Sequence, residues 1–370
     1  MKKVSLLALA LFLCVSEVSA QALTAEEKAL ADKIIEAEKS QQELVGVAVA
    51  LIRDNKIVYV KGFGHEDKKA QISVSGKTRF RWASISKPVT AVTALQLWEK
   101  GLLDLDADVR DYVPEFPKKH GRVTTRQLLC HQSGVVHYSN GRVIRTRRSY
   151  KEPHPFKNVI HALDLFKESA LVHKPGEKFA YTTHGYILLS AVVQRAGKKA
   201  FAEQCQSRVF SVLDMKTMRP DYQWEKIPHR AVGYRKTLGR ITRSTNTDVS
   251  WKLGGGGFVS NVEDMAKFAV GLMTGQLLEK KSVDMAWKGQ KTLLGKKTRY
   301  GLGFTVSGRG KDLKVGHSGA QEKTRTSMSF YPKRGIGVVV MTNSEYGKPG
   351  RLGKKLWAVL KRSGTKKKLY

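Results

Sequence analysis

Cysteine is scarce. Three occur in 370 residues, at Cys14, Cys130 and Cys205. No paired-cysteine motif and no His-Glu-x-x-His run is present, so no metal site is expected. Internal repeats and low-complexity linkers are absent as well. So are apolar runs long enough to cross a bilayer, since Leu6 to Leu13 falls well short of one. Acidic residues are the other shortage: 32 Asp and Glu stand against 66 Lys and Arg, a net charge of +34. Such a surface attracts polyanions. No nucleic-acid motif accompanies the charge, so nucleic acid is not an expected partner. Anionic envelope polymers fit an exported chain better. The basic residues are spread along the whole chain, densest in Arg142 to Lys151 and in Lys366-Lys367-Lys368.

Two further motifs fail on single residues. Asp104, Asp106, Asp108 and Glu115 are spaced like a calcium loop, but Val109 stands where that loop requires glycine. Gly254 to Gly257 lacks the Lys-Ser/Thr ending of a phosphate loop, and reads as a turn near a site rim.

What is present is ordinary globular composition, 41% hydrophobic and 26% charged. Residues 1–20 read as a secretory signal. Lys2 and Lys3 precede the short apolar core, and Val18-Ser19-Ala20 fits a cleavage site, so the mature chain is expected to start at Gln21. The expected location is periplasmic or secreted, with no stable membrane span after cleavage. Export permits a Cys130–Cys205 disulfide, but two buried free thiols fit the half-apolar surroundings as well.

Thr24 and Glu27 form a capping box that starts a first helix. Two β-rich runs follow, Val45 to Ile52 and Ile57 to Phe63, joined by a turn at Asp54-Asn55. Helical patterns then dominate: Val89 to Glu99, Thr125 to His131, Ile160 to Ser169, Tyr186 to Ala196 and Ala200 to Val212. Strand texture returns at Leu313 to Gly316, Thr326 to Tyr331 and Ile336 to Thr342, before a last helix over Leu352 to Leu360. Neither end has enough strands for a sheet alone. The expectation is therefore an α+β fold. Residues 21–83 and 222–370 form one antiparallel sheet lobe flanked by the first and last helices. Residues 84–221 form an all-helical lobe, and a site lies between the two.

The chemistry centres on Ser84-Ile85-Ser86-Lys87. Three residues of helix put Ser84 and Lys87 on one face. Ser84 sits at a helix start, where unpaired N–H groups can hold an oxyanion. A lysine acts as base only when neutral, which burial and nearby cations promote. By itself, Ser-x-x-Lys also fits a capping serine beside a solvated lysine.

The surrounding blocks carry more. Phe80 to Pro117, including Trp98-Glu99-Lys100-Gly101-Leu102-Leu103-Asp104, resembles the class C β-lactamase group. Val123 to Leu129 with His131-Gln132-Ser133-Gly134, and Gly254 to Ser260 with Asp264, resemble further blocks of the same serine β-lactamase and D,D-peptidase superfamily. The Ala-Ser-Ile-Ser-Lys and Tyr-x-Thr stretches are similar to mitochondrial serine β-lactamase-like proteins and their bacterial relatives. The resemblance implies an acyl-enzyme serine hydrolase of β-lactamase/transpeptidase-like fold, acting on a small-molecule or peptide substrate without a cofactor. It implies Ser84 as nucleophile, Lys87 as base and Tyr181 as proton relay. The backbone N–H groups of Ser84 and Ala320 would form the oxyanion hole. Thr183, in the place of the family's Asn, and His317-Ser318-Gly319, in the place of Lys-Thr-Gly, would contact substrate. His317 is expected to supply a weak, pH-sensitive positive charge, and Gly319 to let substrate approach the strand. These two departures favour a peptidase or esterase over a β-lactamase. A catalytically idle binder of anionic polymers is the alternative.

Overall fold

The computed structural model describes residues 22–361. The signal reading and the Lys366 to Lys368 cluster lie outside them. Helix α1 (Ala25–Gln41) starts as its capping box requires: Glu27 N–H donates to Thr24 Oγ1 at 3.1 Å and Thr24 N–H donates to Glu27 Oε2 at 3.0 Å. Strands β1 (Gly46–Arg53) and β2 (Lys56–Asp67) follow. Asp54 and Asn55 both take positive φ, +51° and +57°, as a tight hairpin demands. A short edge strand β3 (Ile72–Ser73) ends this unit.

The C-terminal strands are β4 (Thr305–Ser307), β5 (Lys314–Gln321), β6 (Thr324–Tyr331) and β7 (Ile336–Thr342). The two ends make one seven-stranded antiparallel sheet in the order β3-β2-β1-β7-β6-β5-β4. The seam is β1 on β7, with Val49 opposite Val340. Strand β1 is buried along its full length, because both of its faces are covered. Val47, Val49 and Leu51 face α1 and the last helix, α5 (Pro349–Lys361); Ala48, Ala50 and Ile52 face the main core. Period-two alternation sends neighbours to opposite faces, so a strand covered on both reads as an unbroken apolar run.

Helix α2 (Ser86–Glu99) runs through the molecule's centre and is buried from Ser86 to Leu95. It packs against α3 (Thr183–Ala196), while α4 (Val262–Met273) lies on the inner face of the sheet. Two expected helices are largely irregular. Ile160 to Ser169 forms only a tight turn of helix over His161–Leu165, because Thr146 N–H donates to the Asp164 carbonyl at 2.6 Å and so diverts it from a helical bond. Ala200 to Val212 is a short helix, Phe201–Cys205, that widens over Gln206–Phe210.

A small sheet positions the turn that carries Ser84. Phe80–Arg81 pairs with Phe258–Ser260, which pairs with Arg219–Pro220. The buried Arg81 guanidinium donates to Asp221 Oδ2 at 2.5 Å, and Arg230 meets the other oxygen at 3.0 Å. Cys130 and Cys205 are buried free thiols, each pushed up to about 12 by burial.

Candidate active site

Ser84 lies in a tight turn, Ala83–Ile85, that leads into α2, and is partly exposed. Ala83 holds φ at +50°, a left-handed conformation that is unfavourable for alanine. The neighbouring fold enforces it. Thr326 Oγ1 donates to the Trp82 carbonyl at 3.0 Å, and Thr324 Oγ1 to the Arg81 carbonyl at 3.0 Å. Strand β5 runs alongside. Strand β4 pairs with it only from Lys314 to Gly316, so beyond that its outer edge is open beside the turn. Gly319 marks the closest approach: a Cβ there would sit 2.4 Å from the Trp82 carbonyl oxygen. The glycine thus admits the turn that carries Ser84. Ala320 is exposed on this open edge.

Lys87 is entirely buried. Its Nζ lies 3.0 Å from Ser84 Oγ, 3.2 Å from Thr183 Oγ1 and 2.7 Å from the Gly255 carbonyl. Among the described residues it has no carboxylate partner. Burial holds its pKa well below the usual lysine value, and the nearby Lys252 charge adds to this. A neutral amine has two N–H groups and one lone pair. The N–H groups match Gly255 O and Thr183 Oγ1, which leaves the lone pair facing Ser84. Gly255 belongs to the four-glycine run, and a Cβ on it would meet Thr183 Cγ2 at 2.7 Å. The run therefore lets the backbone reach Lys87. Thr183 is likewise buried, and its side chain holds the lysine.

Tyr181 lies with its ring centroid 4.9 Å from Lys87 Nζ. Burial raises its pKa, a hydrogen bond with Ser84 opposing, so the phenol stays protonated. Two neutral imidazoles set its segment. Thr182 N–H donates to His131 Nδ1 at 3.2 Å, and Thr183 N–H to His137 Nδ1 at 3.1 Å. Burial first, then the Lys87 charge, lowers both histidines, His137 to about 4.

His317 does not supply the expected positive charge. It is buried, with Nδ1 2.7 Å from the Ser318 carbonyl and Nε2 2.9 Å from the Tyr300 hydroxyl. Burial, with the Lys87 charge behind it, lowers it to about 3. The neutral ring donates from Nδ1 and accepts from Tyr300. Ser318 is exposed beside it.

A cleft of about 700 Å³ opens at the end of β5, beside Ala320, Gln321 and Glu322. Trp251, Lys252 and Tyr138 line it, and the basic segment reaches it through Arg145 and Phe156. The residues that sequence reasoning missed are Lys252, Tyr300 and His137. Gly301-Leu302-Gly303 after Tyr300 is a signal of close packing; Lys252 and His137 have none.

The beta-lactamase family profile matches residues 31–361. The chain belongs to the beta-lactamase family. It is similar to the human mitochondrial serine beta-lactamase-like protein LACTB, 31% identical over 62% of this chain and 53% of that one. The chain thus spans about half the length of that relative. Among solved structures it is similar to an octameric penicillin-binding protein homologue from Pyrococcus abyssi, with TM-score 0.74, 24% identity and 90% and 77% of the two chains covered. It is also similar to a D-amino acid amidase from Ochrobactrum anthropi, with TM-score 0.76, 21% identity and 92% and 99% covered. Both show the shared fold. In this chain the Ser84 turn packs between the sheet and the short helix Leu253–Gly256 and runs straight into α2.

Proposed function

We propose that the protein is a serine hydrolase that cleaves a peptide, amide or ester through a covalent Ser84 acyl-enzyme. The observation that carries this is the Lys87 amine, fully buried, depressed in pKa and 3.0 Å from Ser84 Oγ. Lys87 takes the Ser84 proton as Oγ attacks the carbonyl carbon. The oxygen becomes negative next to the Ser84 and Ala320 N–H groups, each such donor typically worth about 10²–10³ in rate. Tyr181, whose ring lies beside Lys87, gives its phenolic proton to the leaving group and regains one from the Lys87 ammonium. Water, deprotonated by the same lysine, then releases the acid.

Peptidase or esterase action ranks above β-lactamase action. A β-lactam carboxylate calls for a fixed cation where the neutral His317 stands. The similarity in fold to a D-amino acid amidase is in keeping with an amide substrate. Turnover of an activated ester, an amino-acid amide and a penicillin, in the wild type and in Ser84→Ala, tests the reading. Ester or amide turnover is expected to exceed penicillin turnover and to fall by about 10³-fold or more in the variant. Turnover unchanged in Ser84→Ala would overturn it.

A further inference from the structure

The loop following the helix Lys280–Ala286 has a composition that the active site does not use. Residues 288–299 hold five basic side chains and no acidic one: Lys288, Lys291, Lys296, Lys297 and Arg299. All five are exposed, and among the described residues none of them is in an ion pair. Between them stand Leu293 and Leu294, 77% and 72% exposed.

The tip is a built turn. Lys291 bridges Lys297, Thr292 N–H donates to Lys296 O at 2.9 Å, and Gly295 N–H donates to Thr292 O at 2.9 Å with φ at +76°. Leu293 N–H donates to Gly176 O at 2.8 Å, which ties the tip to the segment leading to Tyr181. On that segment Phe179 is also exposed, and it shares a 480 Å³ cleft with Lys178, Lys296, Lys297 and Arg299.

Single exposed leucines are common on soluble proteins, but an adjacent pair held out by a turn and flanked by exposed cations outside any ion pair is not. The cations call for negative charge and the leucines for an apolar medium. A soluble polyanion answers the first alone. A bilayer with anionic headgroups answers both, with the leucines below the headgroups and the lysines among them. Leu238, at the tip of another hairpin, is a single leucine, and two of the four cations around it are paired among the described residues, Lys236 with Glu43 and Arg243 with Asp67, while Arg235 and Arg240 are not. We propose that the Leu293-Leu294 loop is a membrane-docking tip that seats the protein on an anionic lipid surface, with the Tyr181 rim close to that surface.

The test is co-flotation of the full chain with phosphatidylcholine vesicles that contain or lack phosphatidylglycerol. The wild type should float with the anionic vesicles and not with the neutral ones. Leu293→Ser/Leu294→Ser, shown to be folded by circular dichroism, should bind the anionic vesicles about tenfold or more weakly. A separate Leu294→Trp variant should show a blue-shifted emission on the same vesicles. Wild-type protein that fails to float, or serine and wild-type forms that bind equally, would overturn the proposal. Binding indifferent to the leucines and abolished by heparin would reassign the loop to soluble polyanions.

Discussion

Lys87 stands 3.0 Å from Ser84 Oγ with no carboxylate among the described residues to hold a proton on it. As a base it must be neutral, so kcat/KM should rise with pH through its pKa, which lies well below the usual lysine value. Burial is the larger cause and the Lys252 charge the second. Replacing Lys252 with Met removes the second cause. The acid limb of the kcat/KM profile should then move to higher pH, and an unmoved limb would show that Lys252 has no part in tuning the base. His317, lowered to about 3, stays neutral throughout and should add no limb near neutral pH. At this scale the grouping of Ser84, Lys87 and Tyr181 was legible, because a fixed spacing and the order of motifs mark them. The charge state of His317 was not, because it depends on burial against Tyr300. Lys252 and His137 reach the site through tertiary packing, which leaves no mark on neighbouring residues.

Two contacts between elements set the Ser84 turn. Gly319 lets β5 press against the Trp82 carbonyl. Gly319→Ala should force the strand away, at about 1–3 kcal/mol of stability. Its loss of activity should be larger than its loss of thermal stability, both read on the same preparation. The Arg81–Asp221–Arg230 cluster ties the strand before Ser84 to the small sheet. Asp221→Ala leaves two cations without their shared partner, one of them deeply buried, and should lower stability by about 3–5 kcal/mol in denaturant unfolding. A loss below about 1 kcal/mol would mean that the cluster is solvated. The hairpin at Asp54-Asn55, strand β7 and the capped start of α1 followed from local chemistry that tertiary contacts reinforce. Ile160 to Ser169 did not. Its apolar spacing suits a helix, but Tyr150 and Lys167 bind the Asp164 carboxylate while Thr146 takes its carbonyl.

Across the whole molecule the net charge is +34, and Arg145 and Lys252 bring part of it to the rim of the cleft. Screening should matter for charged substrates. Hydrolysis of an anionic ester should lose kcat/KM as salt rises, while a neutral ester of the same leaving group should not; equal salt dependence would place the charge away from the substrate's path. The joining of the two chain ends into one sheet was legible, since neither end carries strands enough alone. The covering of β1 on both faces is visible as its unbroken apolar run.

The central claim is that Lys87 activates Ser84, and intact-protein mass after exposure to a fluorophosphonate tests it most directly. Wild-type protein should gain one adduct, Ser84→Ala none, and Lys87→Met an adduct formed far more slowly. A folded wild-type protein that gains no adduct, or a Ser84→Ala variant that labels like it, would contradict the account.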